Sequence, residues 1–202
     1  MKKNSSDPSA SKTISLFKRN RIGVIPTDTI YGVAASAWSK KTVERAYKIM
    51  KRNPKKPFII LISSTRDLTL FSIKIDSTAK NILKKIWPGK VSVILPIKTK
   101  KFEYLHRGTK TLAFRVPKKK SLINLIKKTG PLISSSANPE SIKSAETIAE
   151  AKKYFGNKVD FYTGGGKMKS LPSSLVEIKS GRVSIMREGS GKIPKKLLEN
   201  NQ

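Results

Sequence analysis

The sequence predicts an α/β fold in which a twisted mixed β-sheet is flanked by helices. Three observations predict it. Apolar runs of strand length are interspersed with amphipathic runs of helix length, they do not follow a strict β-α alternation, and the last third of the chain turns β-rich. Ile14, Leu16 and Phe17 suggest a short helix ahead of a strand over 22–25. Ser39 is placed to cap a helix whose Val43, Ala46, Tyr47 and Met50 fall at i, i+3, i+4 and i+7, the spacing of one buried face. Residues 58–62 form a continuous apolar run of strand length. Ser77 opens a helix through Ile82, Leu83 and Ile86 that stops at Trp87-Pro88-Gly89, and a strand over 91–95 follows.

Residues 112–116 then read as a strand, 121–128 as a helix, 132–134 as a short strand and 144–154 as a helix ended by Gly156. Further strands are expected over 159–162, 175–178 and 183–186, separated by Gly164 to Gly166 and by the turn at Ser180-Gly181. A disordered polar tail is expected over residues 1–8 and one domain over 9–202, because 202 residues with 37% hydrophobic content suffice for one core.

Composition narrows the chemistry. Without cysteine there is no disulfide framework, thiolate nucleophile or cysteine-ligated zinc, and the lone His106, expected in a loop, excludes a cluster of histidine ligands. No metal site is expected on the protein itself. The N-terminus is polar and leads into no apolar segment, and the apolar runs are far below membrane-spanning length, so a soluble cytoplasmic protein is expected. The formal net charge of +30 is extreme for this size and would concentrate anions such as ATP and RNA around the molecule. The 43 basic residues include only nine arginines, so a lysine bias of composition explains the charge equally well. The lysines are scattered in twos and threes, without the interleaved aromatics of a single-strand binder.

The segment Pro26-Thr27-Asp28-Thr29-Ile30-Tyr31-Gly32 follows a strand, where loops commonly hold functional side chains. Thr29 can donate to a carboxylate or accept from an ammonium, and Gly32 permits a close approach that a Cβ would block. On spacing alone the segment is equally a hydroxyl-rich turn. Asp28 is expected to cap a helix, with orientation of a lysine or a water as the alternative. Gly164-Gly165-Gly166-Lys167 lacks the spacing and the Ser/Thr of a phosphate loop and is read as a flexible connection.

Continued through Val33, the segment resembles the signature loop of the YrdC family of threonylcarbamoyl-AMP synthases, and six further matches follow in order. Arg52 with Pro57-Phe58 resembles the family's Lys-x-Arg-Pro segment, Trp87-Pro88-Gly89-Lys90-Val91-Ser92 its Pro-Gly turn and strand, and Ala113-Phe114-Arg115-Val116-Pro117 its Arg-Val-Pro strand. Ser136-Ala137-Asn138 is similar to the Ser-Ala-Asn element, Ser173-Ser174-Leu175-Val176 to Ser-Thr-Val-Val, and Arg187-Glu188-Gly189 to the terminal Arg-Pro-Gly. Together they span residues 22–189. The resemblance implies a single YrdC-like domain with a concave basic cleft that joins L-threonine, bicarbonate or CO2, and ATP into L-threonylcarbamoyladenylate with release of pyrophosphate, for modification of tRNA. ATP is then a substrate, accompanied by Mg2+ held mainly by phosphate oxygens and water. The downstream threonylcarbamoyl-transferase machinery is an implied partner, tRNA itself is left open, and no membrane is involved.

The resemblance places Thr29, Arg115, Ser134 and Ser173 around threonine, with Arg115 gripping its carboxylate, and Leu61 where many relatives carry a histidine, so a more apolar pocket is expected. It places Arg52, Lys56, Thr111, Ser136, Asn138, Ser144 and Arg187 around the nucleotide, with Arg52 and Lys56 on the phosphates. The catalytic set is then Arg52, Lys51 and Thr29. Met50 stands where the family has lysine, and Lys51 lies one residue later, about 100° further round a continuing helix. Either Lys51 reaches the phosphates from a bent helix end or one charge is missing. Asn53 replaces a proline, and Glu140-Ser141 replaces Ser-Gly after the Ser-Ala-Asn element. The alternative function is a non-catalytic RNA-binding module of the same fold.

Overall fold

A computed structural model describes residues 10–198. The tail expected over residues 1–8 lies outside them. Among the described residues, nine strands form one sheet: β1 (Gly23–Pro26), β2 (Tyr31–Ser36), β3 (Ile59–Leu61), β4 (Val91–Pro96), β5 (Thr111–Arg115), β6 (Leu132–Ser136), β7 (Phe161–Tyr162), β8 (Ser174–Lys179) and β9 (Arg182–Arg187). Their order is β7-β1-β2-β6-β3-β5-β4-β8-β9, with parallel pairs at β1/β7, β3/β5 and β4/β8 and antiparallel pairs elsewhere. This is the mixed sheet that the sequence predicts. Six α-helices accompany it: α1 (Ser11–Lys18), α2 (Lys40–Ile49), α3 (Ser77–Ile86), the single turn α4 (Glu103–His106), α5 (Lys120–Thr129) and α6 (Ile148–Phe155). Among the described residues, no helix is long and apolar enough to cross a membrane.

Strand alternation divides the apolar residues between two layers. Val24, Val33, Ile60, Val93, Phe114, Ile133 and Val176 enter a large core with α2, α3, α4 and α6. Ile25, Ala34, Leu61 and Leu132 enter a smaller one with Phe17 of α1 and Leu122, Leu125 and Ile126 of α5. The small core spans β1, β2, β6 and β3 with Phe161 of β7 at its edge, so the second face is covered at one end and open at the other. The site lies in that open part.

Ser39 caps α2 as its position predicts, accepting from Thr42 N at 3.3 Å. The cap of α3 is Asp76, one residue before the expected start, and it accepts from Ala79 N at 2.7 Å. Asp76→Ala is therefore expected to lower stability by about 1 kcal/mol, read as a shift in urea midpoint at constant slope.

Three further elements, besides the short α4, differ from expectation. The α6 helix begins at Ile148, capped by Thr147, because Ser144 bonds sideways to Asn138 Oδ1 (3.2 Å) and competes with helix formation there. The strand expected over 159–162 shortens to two residues, and β2 takes up the last two residues of the expected loop together with 33–36, for which the sequence predicts no element. Every residue of β2 is buried, so it shows no polar alternation, and Gly32, Ala34 and Ala35 are weak strand formers. The connection 163–173 carries the chain from the β7 edge to β8 near the opposite edge. Its ties to the body include Tyr31 Oη donating to Gly166 O (3.0 Å) and Met168 N donating to Glu146 O (2.8 Å).

Candidate active site

The expected loop is a β1-β2 hairpin with Pro26 opposite Tyr31, so only residues 27–30 form the turn. Thr27 organises it. Its Oγ1 donates to Ile30 O (2.6 Å) and accepts from Thr29 N (3.1 Å) and Ile30 N (3.2 Å). The Thr27 and Thr29 hydroxyls meet at 3.0 Å, where either can donate.

Sheet register brings the remaining groups to this turn. Gly32 lies opposite Ser136, Ser134 lies between Ala34 and Ile59, Ile59 faces Ala113, and Leu61 faces Arg115. These positions share one face by the two-residue period. A Cβ on Gly32 would stand 3.0 Å from Ser134 Oγ and 3.1 Å from Ser135 O, so glycine lets β6 hydroxyls approach the turn. The result is a cavity of ≈ 190 Å3 walled also by Arg52, Pro172, Ser173 and Arg187. That enclosed volume is below the ≈ 300–1,000 Å3 of drug-sized pockets and suits a ligand of amino-acid size.

Arg115 sits at the centre of the charge distribution. Its Nη1 donates to Asp28 Oδ1 at 2.6 Å, and the two side chains are only 4% and 6% exposed. Asp28 Oδ2 accepts from Lys118 N (2.9 Å), so Asp28 is an arginine partner and not the helix cap expected from sequence. Burial pulls the guanidinium below its usual value, and Asp28 opposes that shift. Among the described residues, Arg115 Nε is the one buried side-chain nitrogen or oxygen that lacks a hydrogen-bond partner. A guanidinium has two edges that can bind a carboxylate; Asp28 takes Nη1, and Nε marks the other edge as unsatisfied.

Two more arginines reach the cavity. Arg52 donates through Nε to Lys56 O and through Nη2 to Pro57 O, both at 2.9 Å, and burial lowers its value. Arg187 donates through Nη2 to Ser173 O (2.9 Å); burial lowers it first, and repulsion from Arg52 and Arg115 adds to the effect. No carboxylate lines the cavity among the described residues, and Asp28 is the sole counter-ion paired with any of the three guanidiniums. Such a site favours an anion.

All five residues expected around threonine (Thr29, Leu61, Arg115, Ser134, Ser173) line this cavity, together with Arg52, Ser136 and Arg187. Five others do not. Lys51 lies just past the C-cap of α2 in a left-handed conformation (φ 48°) and is exposed, while Met50 is buried in the core. Lys56 is paired with Glu140, whose carboxylate also accepts from Asn53 N. Asn138 bonds Pro139 O, Ile142 O and Ser144, shaping the loop that follows β6. Thr111 bonds Thr109 at the far end of β5. His106 closes α4 and is buried, with Nδ1 accepting from Gly108 N (3.2 Å), instead of lying in a loop.

Sequence reasoning missed Ser135, whose Oγ accepts from Arg52 Nη1 at 3.4 Å, and Ser92, whose hydroxyl meets that of Ser173 at 2.9 Å. Ser92 could have been found as a lone serine inside an otherwise apolar strand, which demands a partner once buried, whereas Ser135 lies in a run of three serines and carries no signal of its own.

Fold and cavity together define an α/β protein with a cavity rich in arginine on the open face of a mixed sheet. The chain belongs to the Sua5/YciO/YrdC family, whose model, described as telomere recombination, matches residues 15–189. A Methanocaldococcus jannaschii protein provisionally named a threonylcarbamoyl-AMP synthase is 30% identical over 170 residues, 84% of this chain and 80% of that protein. The threonylcarbamoyl-AMP synthase of Bacillus subtilis is 29% identical over 187 residues, 91% of this chain and 54% of that one. The structure of Pyrococcus abyssi Sua5 complexed with L-threonine matches with a TM-score of 0.81 at 24% identity, over 88% of this chain and 53% of that one. The chain thus spans about half the length of the last two relatives, and the structural match speaks for the fold.

Proposed function

We propose that the protein is a threonylcarbamoyl-AMP synthase, a nucleotidyltransferase that converts L-threonine, bicarbonate or CO2, and ATP into L-threonylcarbamoyl-AMP and pyrophosphate. The observation that carries this reading is the unsatisfied Nε edge of buried Arg115, set in a cavity of amino-acid size beside two further arginines. The names of the relatives support it. In this reading the threonine carboxylate bonds that edge, the amino group donates to Thr29 Oγ1, and Ser134 and Ser173 complete the polar wall. Leu61, among the lining residues, makes the wall behind the methyl group apolar.

The amine adds to CO2 with loss of a proton, or to bicarbonate with loss of water, and becomes a carbamate. A carbamate oxygen then attacks the α-phosphorus of ATP in line, a P–O bond forms, and pyrophosphate leaves. No nucleophilic side chain is required; the task is alignment and charge neutralisation. Arg52 and Arg187 serve the phosphates, with Ser136 beside them. The nucleotide extends beyond the enclosed volume toward Asn138, Ser144 and Lys56, and Lys56 has to leave Glu140 to reach a phosphate. Thr111 and Lys51 do not line the cavity in this conformation. Among the described residues no three Asp, Glu or His side chains converge as metal ligands, so Mg2+ would arrive on ATP, coordinated by phosphate and water.

The test is to incubate the purified protein with ATP, Mg2+, bicarbonate and L-threonine. Threonine-dependent pyrophosphate and the adenylate mass are expected, and their absence defeats the reading. The RNA-binding alternative, favoured by the +30 charge, predicts instead an RNA affinity that falls steeply with salt and ignores threonine. Supply of the adenylate to tRNA modification in the cytoplasm belongs to the same proposal.

A further inference from the structure

Arg52 reaches the cavity from a poorly anchored place. It precedes residues 53–56, all exposed, and its Nε and Nη2 hold carbonyls of Lys56 and Pro57, so apart from the 3.4 Å contact of Nη1 with Ser135 Oγ its side chain is held by that loop. Glu140 ties the loop through Lys56 and Asn53 N, and a second anchor comes from outside the site. Arg107, in a left-handed conformation (φ 53°) just after α4, donates from Nε to Pro54 O at 3.0 Å and is ion-paired with Glu44 of α2. Its guanidinium carbon lies 4.4 Å from the ring centroid of Tyr47. The Tyr47 ring packs 4.4 Å from that of Phe58, and the Arg52 guanidinium carbon lies 5.0 Å from the other ring, Phe58. Tyr47 Oη donates to Lys56 O (3.2 Å), the carbonyl that Arg52 Nε also uses.

Two cations therefore end a column of two buried rings, and both ends grip the same exposed loop. We infer that Arg107, acting through Tyr47 and Phe58, is a positioning residue that fixes Arg52 for the phosphates of the nucleotide. The inference rests on the proposed reading of the cavity. The physical case is that cation–ring contacts to buried rings strengthen with desolvation, and a planar guanidinium is needed at the far end to stack and donate at once. Burial raises the Tyr47 phenol above its usual range while Arg52 and Arg107 on either side oppose the rise, so the ring stays a neutral hydrogen-bond donor.

The experiment compares Arg107→Met, Arg107→Lys and Glu44→Gln with the wild type. Arg107→Met is expected to raise the KM for ATP about tenfold while the KM for threonine, bound at the Arg115 end, stays within about twofold. Arg107→Lys should not rescue it, because an ammonium cannot stack and bond Pro54 O in the same geometry. Glu44→Gln leaves the column intact and should give a smaller rise in the same sense. An unchanged KM for ATP, or a rise in both KM values with a collapse in melting temperature, overturns the inference. If the wild type shows no threonine-dependent turnover, the synthase reading fails by itself, and inorganic pyrophosphate binding by calorimetry decides for Arg107. A loss of about fivefold or more in Arg107→Met supports the brace; equal affinity, or no binding by the wild type, overturns it.

Discussion

Replacing Arg115 with alanine is expected to destabilise the protein by about 3–5 kcal/mol and to remove threonine binding, because it leaves the Asp28 carboxylate buried without its cation. Both side chains are almost fully enclosed, so solvent screening takes little from that figure. A loss of this size risks confusing a folding defect with a binding defect. The double variant Arg115→Met/Asp28→Leu separates them, since replacing a buried pair by apolar groups of similar volume is often neutral or stabilising. The double variant should therefore recover most of the urea midpoint yet bind threonine no better than the single one. At sites where the single variant stays folded, the missing charge-assisted bonds correspond to about 1.5–3 kcal/mol of binding energy. Calorimetry that finds wild-type threonine affinity in either variant would refute the carboxylate assignment.

The second large effect is expected at Gly189. A Cβ there would lie 2.3 Å from Pro172 O and 2.6 Å from Ser173 C, both backbone atoms that cannot swing aside. Just past it, Ser190 N donates to Pro172 O (2.8 Å), and Ser174 Oγ donates to Gly191 O (2.7 Å). The end of β9 is thereby laid directly on the backbone that presents Ser173. Gly189→Ala should cost about 1–3 kcal/mol as an overpacking change, with threonine affinity falling alongside stability. Glu188→Ala is the control. Its side chain is exposed and its urea midpoint should move by less than about 0.5 kcal/mol equivalent. A neutral Gly189→Ala would show that this wall of the cavity is loose.

Much of the secondary structure was legible because burial imposes periodicity. Helices α2, α3 and α5 each present one apolar stripe, and β4, β5 and β8 stand in strand-length runs. β2 escaped because a strand covered on both faces, built of glycine and alanine, carries no such mark. Strand order was equally hidden: that β6 lies between β2 and β3 depends on pairings between residues about 70 to 100 positions apart. The site shows the same division. Thr29, Arg115 and Ser173 were found because each lies in a contiguous motif. Asp28 was misread because its partner is 87 residues away, and an Asp in a turn looks locally like a cap. Arg107 gave no signal at all, since its column with Tyr47, Phe58 and Arg52 exists only in three dimensions.

The cavity draws its walls from Thr27 near one end of the described chain to Arg187 near the other, and β8, which follows Ser173, joins the sheet only through β4 and β9. During synthesis, at about 5–20 residues per second, the first strands are available well before the last wall has left the ribosome. A threonine-sized ligand that needs Ser173 and Arg187 cannot stabilise those earlier intermediates by mass action. The nascent chain must reach its sheet unaided, so ligand in the cell protects the finished protein and gives no help to the unfinished one.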